Sequence, residues 1–225
     1  TGLLGRDGQD MPLRLADGGT VERGVLVLDK QADTFTFKDV REQPVLSINR
    51  SFSAPIKLTT NVSPDDLRLM AAHDSDPFNR WQAVQTLAST LLVGNVARLR
   101  AGQDPEADEG LLEALDAILA DSSLEPAFVA EVLVPPSEAD TAREIGRDVD
   151  PDAIYRARMG LRALIGLHLN KRLTDTYGRM VTPGVYSPDA DSAGRRALKN
   201  VCLDLLAATG EPHMIALASD RKSVV

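Results

Sequence analysis

The sequence predicts a chain of mixed class, in which a partial antiparallel β-sandwich over residues 1–59 precedes an all-helical segment over residues 60–225. Two observations predict this division. Up to about residue 59, short alternating runs are separated by glycine-containing turns, and from Ser63 onward a capping residue repeatedly precedes a proline. The first pattern is typical of β-strands joined by tight turns, and the second is typical of helix N-termini.

The β segment is predicted from short alternating or apolar runs that are separated by turn signals. Asp7-Gly8 and Asp17-Gly18-Gly19 are turn signals, because glycine adopts a positive φ without steric cost. We expect about five or six strands, over residues 1–4, 11–15, 25–28, 34–37, 45–49 and 56–58. A β unit of this size buries only about 60% of its unfolded surface. We therefore expect this immunoglobulin-like unit to depend on the helical segment for stability.

The helical segment is predicted from its N-caps and from apolar stripes. Five helix starts are expected, at Ser63-Pro64, Asp76-Pro77, Glu125-Pro126, Asp150-Pro151 and Ser187-Pro188. Long apolar stripes at three-to-four spacing run from Pro77 to Leu99 and from Pro151 to Leu173. Shorter helices are expected over residues 111–119, 126–133 and 137–144. Another apolar stripe lies over residues 198–206. Helix pairs of this kind stack as an irregular solenoid of the armadillo or HEAT type.

Composition limits the classes of partner. The chain of 225 residues carries 33 acidic and 25 basic residues, for a net charge of -8. A nucleic acid or an anionic membrane favours a basic surface, so we expect neither as a partner. A single cysteine favours a reducing, cytoplasmic compartment. The chain opens on a strand-like run without an initiator methionine, so we expect it to lie within a longer polypeptide.

No metal site is predicted. A zinc site needs several converging His, Cys, Asp or Glu ligands, and His73, His168 and His213 lie far apart in the sequence. We expect His168 to be a hydrogen-bonded core residue on the apolar face of its helix, and His73 to be structural. Acidic runs starting at Asp148 and Asp189 imitate calcium loops but lack the required glutamate at the twelfth position.

No nucleophile or anion site is predicted either. Cys202 lies on an apolar stripe, so a core side chain is the favoured interpretation over a catalytic thiol. A basic group flanks the helix from Pro151, and it could bind anions or simply form the polar side of an amphipathic helix, which is the favoured interpretation. The group consists of Arg156, Arg158, Arg162, Lys171 and Arg172.

Several tracts, in order along the chain, resemble the bacterial-type aminopeptidase N family of zinc peptidases. GVLV at 24–27, TFTFKDV at 34–40 and QPV at 43–45 resemble the last strands of its β-sandwich domain, and RSFSAPIKL at 50–58 resembles the junction that follows. DPFNRW at 76–81, NVAR at 95–98, LEPAFVAE at 124–131 and RALKNVCL at 196–203 resemble its C-terminal helical domain. The tail over residues 220–225 resembles nothing in that family.

The resemblance implies a non-catalytic part of such an enzyme. In the family, a His-Glu-x-x-His helix and a Gly-x-Met-Glu-Asn motif supply the zinc ligands and the grip on the substrate, and neither motif occurs here. The resemblance therefore implies that this chain holds no cofactor and no catalytic, metal or substrate residue, and is inactive alone. It also implies an upstream zinc-binding catalytic domain in the same polypeptide, peptide substrates, and a role for this segment as scaffold and wall of the active-site chamber.

Four residues are predicted to hold the junction between the β and helical segments: Phe52, Pro55, Phe78 and Trp81. Aromatic side chains bury a large area with few rotatable bonds, so truncating one that is fully buried costs about 3–5 kcal/mol. Two other functions stay open. The chain could be a free-standing interaction module that binds a protein on its helical face, although a sheet beginning mid-strand opposes this. It could also be a small enzyme that uses an assembled acid pair.

Overall fold

The computed structural model describes residues 1–19, 21–56, 58–182 and 184–221, and for Asp220 and Arg221 the backbone alone. In these ranges the chain forms three β-strands followed by nine α-helices. Thr1–Ala83 and Val84–Val225 are separate compact units. The boundary between them lies inside the second helix, whereas the predicted division at residue 59 stays a prediction. Residues 222–225 of the tail and Lys57 lie outside the described residues.

The first unit contains a small antiparallel sheet. Its strands are β1 (Gly2–Leu4), β2 (Asp10–Met11) and β3 (Val45–Ser47), in the order β2-β1-β3. Leu3 is paired with Met11 of β2 and with Leu46 of β3. Leu3, Leu4 and Val45 are buried and give this unit its apolar core. The antiparallel sheet followed by helices confirms the predicted class.

The β segment is less regular than predicted. The runs over 11–15 and 34–37 meet only in a bridge between Leu15 and Phe37, flanked by two backbone hydrogen bonds of 2.8 Å, Ala16 N to Thr36 O and Lys38 N to Arg14 O. The strand predicted over 25–28 is absent, and Val25, Val27 and Leu28 are 54–71% exposed. No strand forms at the described residues of 56–58. Short apolar or alternating runs predicted these strands, but a strand also needs a partner for its backbone groups.

Two helices follow the sheet: α1 (Pro64–His73) and α2 (Pro77–Arg100). Ser63 caps α1 by accepting a hydrogen bond from the backbone nitrogen of Asp66, and Asp76 caps α2 by accepting one of 2.9 Å from that of Asn79. Both caps satisfy amide groups that the first helical turn leaves without partners. Both helix starts confirm the prediction.

The remaining helices belong to the second unit. They are α3 (Glu109–Ala120), α4 (Pro126–Leu133), α5 (Glu138–Ile145), α6 (Pro151–His168), α7 (Asn170–Arg179), α8 (Ala190–Ala208) and α9 (Pro212–Arg221). The starts of α4 and α6 confirm the prediction. The start at Ser187-Pro188 was wrong by two residues, because Asp189 caps α8 through the backbone nitrogen of Ser192 at 2.9 Å. The helix from Pro151 is also interrupted at Leu169, so Leu173 belongs to α7.

Helix α8 is the centre of the second unit. It contacts α4, α6, α7 and α9, and its inward face is buried and apolar at Leu198, Cys202, Leu205 and Leu206. At one crossing α6 comes so close that a Cβ on Gly166 would lie 2.2 Å from the carbonyl oxygen of Leu205. Among the described residues no helix is long and apolar enough to cross a membrane.

Candidate functional site

A buried polar network connects the sheet with α1 and α2 inside the first unit. Its centre is the guanidinium of Arg50, which follows β3. The two terminal nitrogens of Arg50 donate to both carboxylate oxygens of Asp10, at 2.9 and 2.7 Å, and Nε donates to Ser47 Oγ at 2.7 Å. Nη2 also lies 3.0 Å from Asp74 Oδ1. Gly2 makes room for this group, because a Cβ there would lie 2.0 Å from Arg50 Cζ.

The start of α2 completes the network. Asn79 donates through Nδ2 to Ser47 Oγ at 2.7 Å and to the carbonyl oxygen of Ile48 at 2.9 Å. The second oxygen of the capping residue Asp76 accepts from the backbone nitrogen of Ser51 at 2.8 Å and from its hydroxyl at 3.2 Å. The first turn of α2 is therefore bonded directly to the chain that leaves β3.

That chain adopts a strained conformation. Asn49, Ser51 and Phe52 have φ angles of 58°, 58° and 48°. A non-glycine residue in this region costs on the order of 1–3 kcal/mol. Hydrogen bonds offset the strain: Asn49 Oδ1 accepts from the backbone nitrogen of Ala54 at 2.9 Å, and Asp76 holds Ser51. The turn therefore depends on side chains of the helical part of this unit.

Asp74 is the most unusual member of the network. Its side chain has no exposed surface, and its Oδ2 has no hydrogen-bond partner among the described residues. Burial raises the pKa of this carboxyl above its ordinary value, although the Ser47 hydroxyl, the Asp76 backbone nitrogen and the charge of Arg50 favour the ionised form. By contrast, the hydrogen bond from Arg50 lowers the pKa of Asp10. The guanidinium of Arg50 therefore partly offsets the cost of burying the Asp74 carboxylate.

The chemistry of this network is structural. Apart from Asp74 Oδ2, its carboxylate oxygens accept from guanidinium, amide or hydroxyl donors, and Asp74 has no exposed surface through which a substrate could reach it. A zinc ion does not fit either, because the part of the chain that the structure describes holds no group of three or more His, Cys, Asp or Glu side chains arranged for a metal.

The structure brings the three aromatic residues of the predicted junction together. The rings of Phe52 and Phe78 are 5.2 Å apart, and those of Phe78 and Trp81 are 5.9 Å apart, between their centroids. Phe52 is 54% exposed and Pro55 is exposed, while Phe78 and Trp81 are half-buried. The cost of 3–5 kcal/mol for a fully buried ring therefore does not apply to Phe52. The role of these four residues at a domain junction stays a prediction.

The histidines do not come together. His73 is exposed at the end of α1, and His213 lies 3.3 Å from Glu211. The prediction of a core residue at His168 was wrong, because its side chain is exposed. The helix ends there, and the next residue, Leu169, occupies the buried position instead.

Cys202 is fully buried in α8, in agreement with its interpretation as a core residue. Burial raises the pKa of its thiol to about 12, and the thiolate is the reactive form. We expect an aromatic disulfide reagent at neutral pH to label the native protein at least about a hundredfold more slowly than the denatured protein. Absorbance of the released thiolate measures both rates on this single cysteine. Equal rates would contradict its burial.

Most side chains of the predicted basic group form hydrogen bonds or ion pairs with other parts of the second unit. Arg158 donates to the carbonyl oxygen of Pro136 at 2.9 Å, and Arg162 is paired with Asp204. Arg172 forms two bonds with Asp116, at 2.5 and 2.9 Å, and Lys171 lies 4.0 Å from Asp175. Arg156 has no hydrogen bond or ion pair with any described residue. Three arginines of the group are therefore held by the fold, while the Lys171 side chain is 95% exposed.

Both acidic runs that resemble calcium loops also have structural roles. Asp148 is paired with Arg100, and Asp150 caps α6 by accepting from the backbone nitrogen of Ala153 at 3.0 Å. Asp189 caps α8.

Sequence reasoning missed the network around Arg50. One signal was present: in the run 45–49 the residues that alternate inward are Val45, Ser47 and Asn49, whereas Leu46 is 47% exposed. Polar residues at inward positions of a strand indicate a buried hydrogen-bonding site, because such groups are stable there only when bonded.

Family comparisons agree with this architecture. Residues 64–223 match a family described as a domain of unknown function (DUF3458_C) with ARM repeats, and residues 1–61 match a domain of unknown function (DUF3458) with an Ig-like fold. The chain is 40% identical over 207 residues to aminopeptidase N of Caulobacter vibrioides, which covers 92% of this chain and 23% of that protein. It is 33% identical over 212 residues to aminopeptidase N of Escherichia coli, and this match covers 94% of this chain and 24% of that protein.

A solved structure shares the fold. The crystal structure of Legionella pneumophila aminopeptidase A in complex with aspartic acid matches with a TM-score of 0.73 at 24% identity, over 95% of this chain and 24% of that one. The chain thus spans about a quarter of the length of the curated relatives that it matches. Since the ARM-repeat family covers most of its residues, the chain belongs to the DUF3458_C family and is similar to a segment of aminopeptidase N.

Proposed function

We propose that this chain is a non-catalytic, C-terminal part of an aminopeptidase, serving as scaffold and chamber wall beside a zinc-binding catalytic domain that lies upstream in the same polypeptide. The observation that carries the proposal is the 40% identity to aminopeptidase N over 92% of this chain. In this proposal the whole enzyme removes amino acids from the N-termini of peptides in the cytoplasm. Zinc chemistry belongs to the upstream domain.

The network around Arg50 supports a scaffold role. It bonds a strained turn, a strand and the start of a helix into one unit. Buried, hydrogen-bonded polar groups of this kind favour one arrangement of the elements that they connect. A wall beside a catalytic domain requires such a fixed arrangement, because its position determines which peptides enter.

Zinc content and hydrolysis of leucine and alanine chromogenic amides test the proposal. We expect neither stoichiometric zinc nor turnover for the 225-residue chain. In a chimera, this chain replaces the matching segment of the Caulobacter vibrioides enzyme, and we expect that chimera to bind zinc and to hydrolyse both amides. A second form of that enzyme, with the segment deleted, is the matched control, and we expect it to lose selection between short and long peptides.

Two results would contradict the proposal. Turnover by the isolated chain would place a catalytic site within it. A parent gene without an upstream His-Glu-x-x-His motif would favour the free-standing interaction module instead.

A further inference from the structure

A groove in the second unit has the features of a ligand site. It has a volume of about 550 Å³ and lies between the end of α2 with its following loop and the first turns of α6. Leu99, Pro105 and Met159 form its apolar lining, and Asp104, Tyr155 and Arg156 supply polar groups. Small-molecule sites combine these properties: a concave, partly apolar surface of a few hundred cubic ångströms with a few polar side chains.

One wall of the groove is fixed in place by α2. The buried side chain of Asn95 donates to the carbonyl oxygen of Glu106 at 2.9 Å and accepts from its backbone nitrogen at 2.7 Å. Arg98 donates to the carbonyl oxygen of Asp104 at 2.7 Å. The loop is therefore ordered before any ligand arrives, which reduces the entropy that binding would otherwise lose.

The charges that line this wall are not used by the fold. Neither the Arg156 guanidinium nor the Asp104 carboxylate forms a hydrogen bond or ion pair with any described residue, and the two are not paired with each other. The Tyr155 hydroxyl likewise has no partner there. In this unit the other arginines whose side chains are described, apart from Arg147, all have such partners.

Two separate, opposite charges beside an apolar surface select one kind of ligand. Asp104 repels a simple anion and Arg156 repels a simple cation, whereas an uncharged apolar compound gains nothing from either charge. A ligand with one ammonium and one carboxylate compensates both charges.

We propose that this groove binds a short peptide with free termini and apolar side chains. Arg156 takes the carboxylate, Asp104 takes the ammonium, and the side chains contact Leu99, Pro105 and Met159. Guanidinium–carboxylate pairing provides the most directional of these interactions. The site goes beyond the proposed scaffold function and does not depend on it.

Titration of the isotope-labelled 225-residue chain with leucyl-leucine, followed by amide chemical shifts, tests this proposal. We expect shift changes confined to residues 99–105 and 155–159, with a Kd on the order of 1 mM or tighter for a ligand of this size. N-acetyl-leucyl-leucine and leucyl-leucinamide each lack one terminal charge. We expect each to bind about twofold to fivefold more weakly.

Variants separate the two charges. We expect Arg156→Gln and Asp104→Asn each to weaken binding of leucyl-leucine by about twofold to fivefold, whereas Arg147→Gln, which removes an exposed arginine outside the groove, leaves it unchanged. All three positions are exposed, so thermal unfolding should match that of the unchanged chain. Absence of shift changes, equal binding of the blocked peptides, or an unaltered Kd in Arg156→Gln would each overturn the proposal.

Discussion

Replacement of Arg50 by methionine is expected to lower the free energy of unfolding by about 3–5 kcal/mol, because it leaves the fully buried Asp74 carboxylate without its cation. Methionine retains much of the apolar stem, so the loss reports mainly the charge and its hydrogen bonds. Urea unfolding at neutral pH measures the effect. Arg14→Met is the matched control in the same unit. The side chains of Arg14 and Asp39 are each 62% exposed, so this ion pair is expected to contribute less than about 1 kcal/mol to the free energy of unfolding.

The loss of unfolding free energy in Arg50→Met should be larger at high pH than at low pH. The pKa of Asp74 is raised in the folded protein, and removal of Arg50 raises it further. A group of this kind favours folding below its unfolded pKa and loses that contribution as the pH rises through its folded pKa. The variant should therefore be less destabilised at about pH 5 than at about pH 8.

Asp74→Asn should partly rescue Arg50→Met, because the amide needs no cation. If the double variant is as unstable as the sum of the single changes, Arg50 and Asp74 are not coupled and the expected result is wrong.

The same substitution at two glycines of α6 should have opposite effects. In Gly166→Ala the new Cβ meets the carbonyl oxygen of Leu205 at 2.2 Å and Thr209 Cγ2 at 2.8 Å. One of these contacts is with backbone, so α6 and α8 must move apart, and we expect a loss of about 2–3 kcal/mol. In Gly160→Ala the Cβ meets nothing within 4 Å, and we expect a gain of about 0.5–1 kcal/mol from helix propensity.

Thermal and urea unfolding of both glycine variants measure the difference. Gly160→Ala serves as the control for Gly166→Ala, since the chemical change and the helix are the same. Similar stability of the two variants would show that the crossing at Gly166 tolerates a methyl group.

The helical elements were predictable where local chemistry determines them. Ser63, Asp76 and Asp150 cap their helices as their positions before proline predict. The break at Leu169 was not predictable from the pattern, because apolar spacing continues across it from Ile165 to Leu173. Strand formation was wrongly predicted over 25–28 and 34–37, because the residue pattern of a run does not supply a partner strand for its backbone.

The candidate site was largely beyond prediction from one sequence. Arg50 is 40 residues from Asp10, and Asn79 is 32 residues from Ser47. Only folding brings them together, and charged residues at these positions are equally compatible with a solvated surface. Asp76 was correctly predicted as a cap, but its second oxygen has a further role, in holding Ser51, that no local pattern indicates.

The central position of α8 has a consequence for how the chain folds. In a simple repeat array each repeat contacts only its neighbours, so folding can begin anywhere and spread. Here α4 contacts α8, with α5, α6 and α7 between them in the sequence. During synthesis, the earlier helices leave the ribosome before the element that covers their apolar faces. We expect this unit to gain its stability late and cooperatively, once the chain has been made to about residue 208.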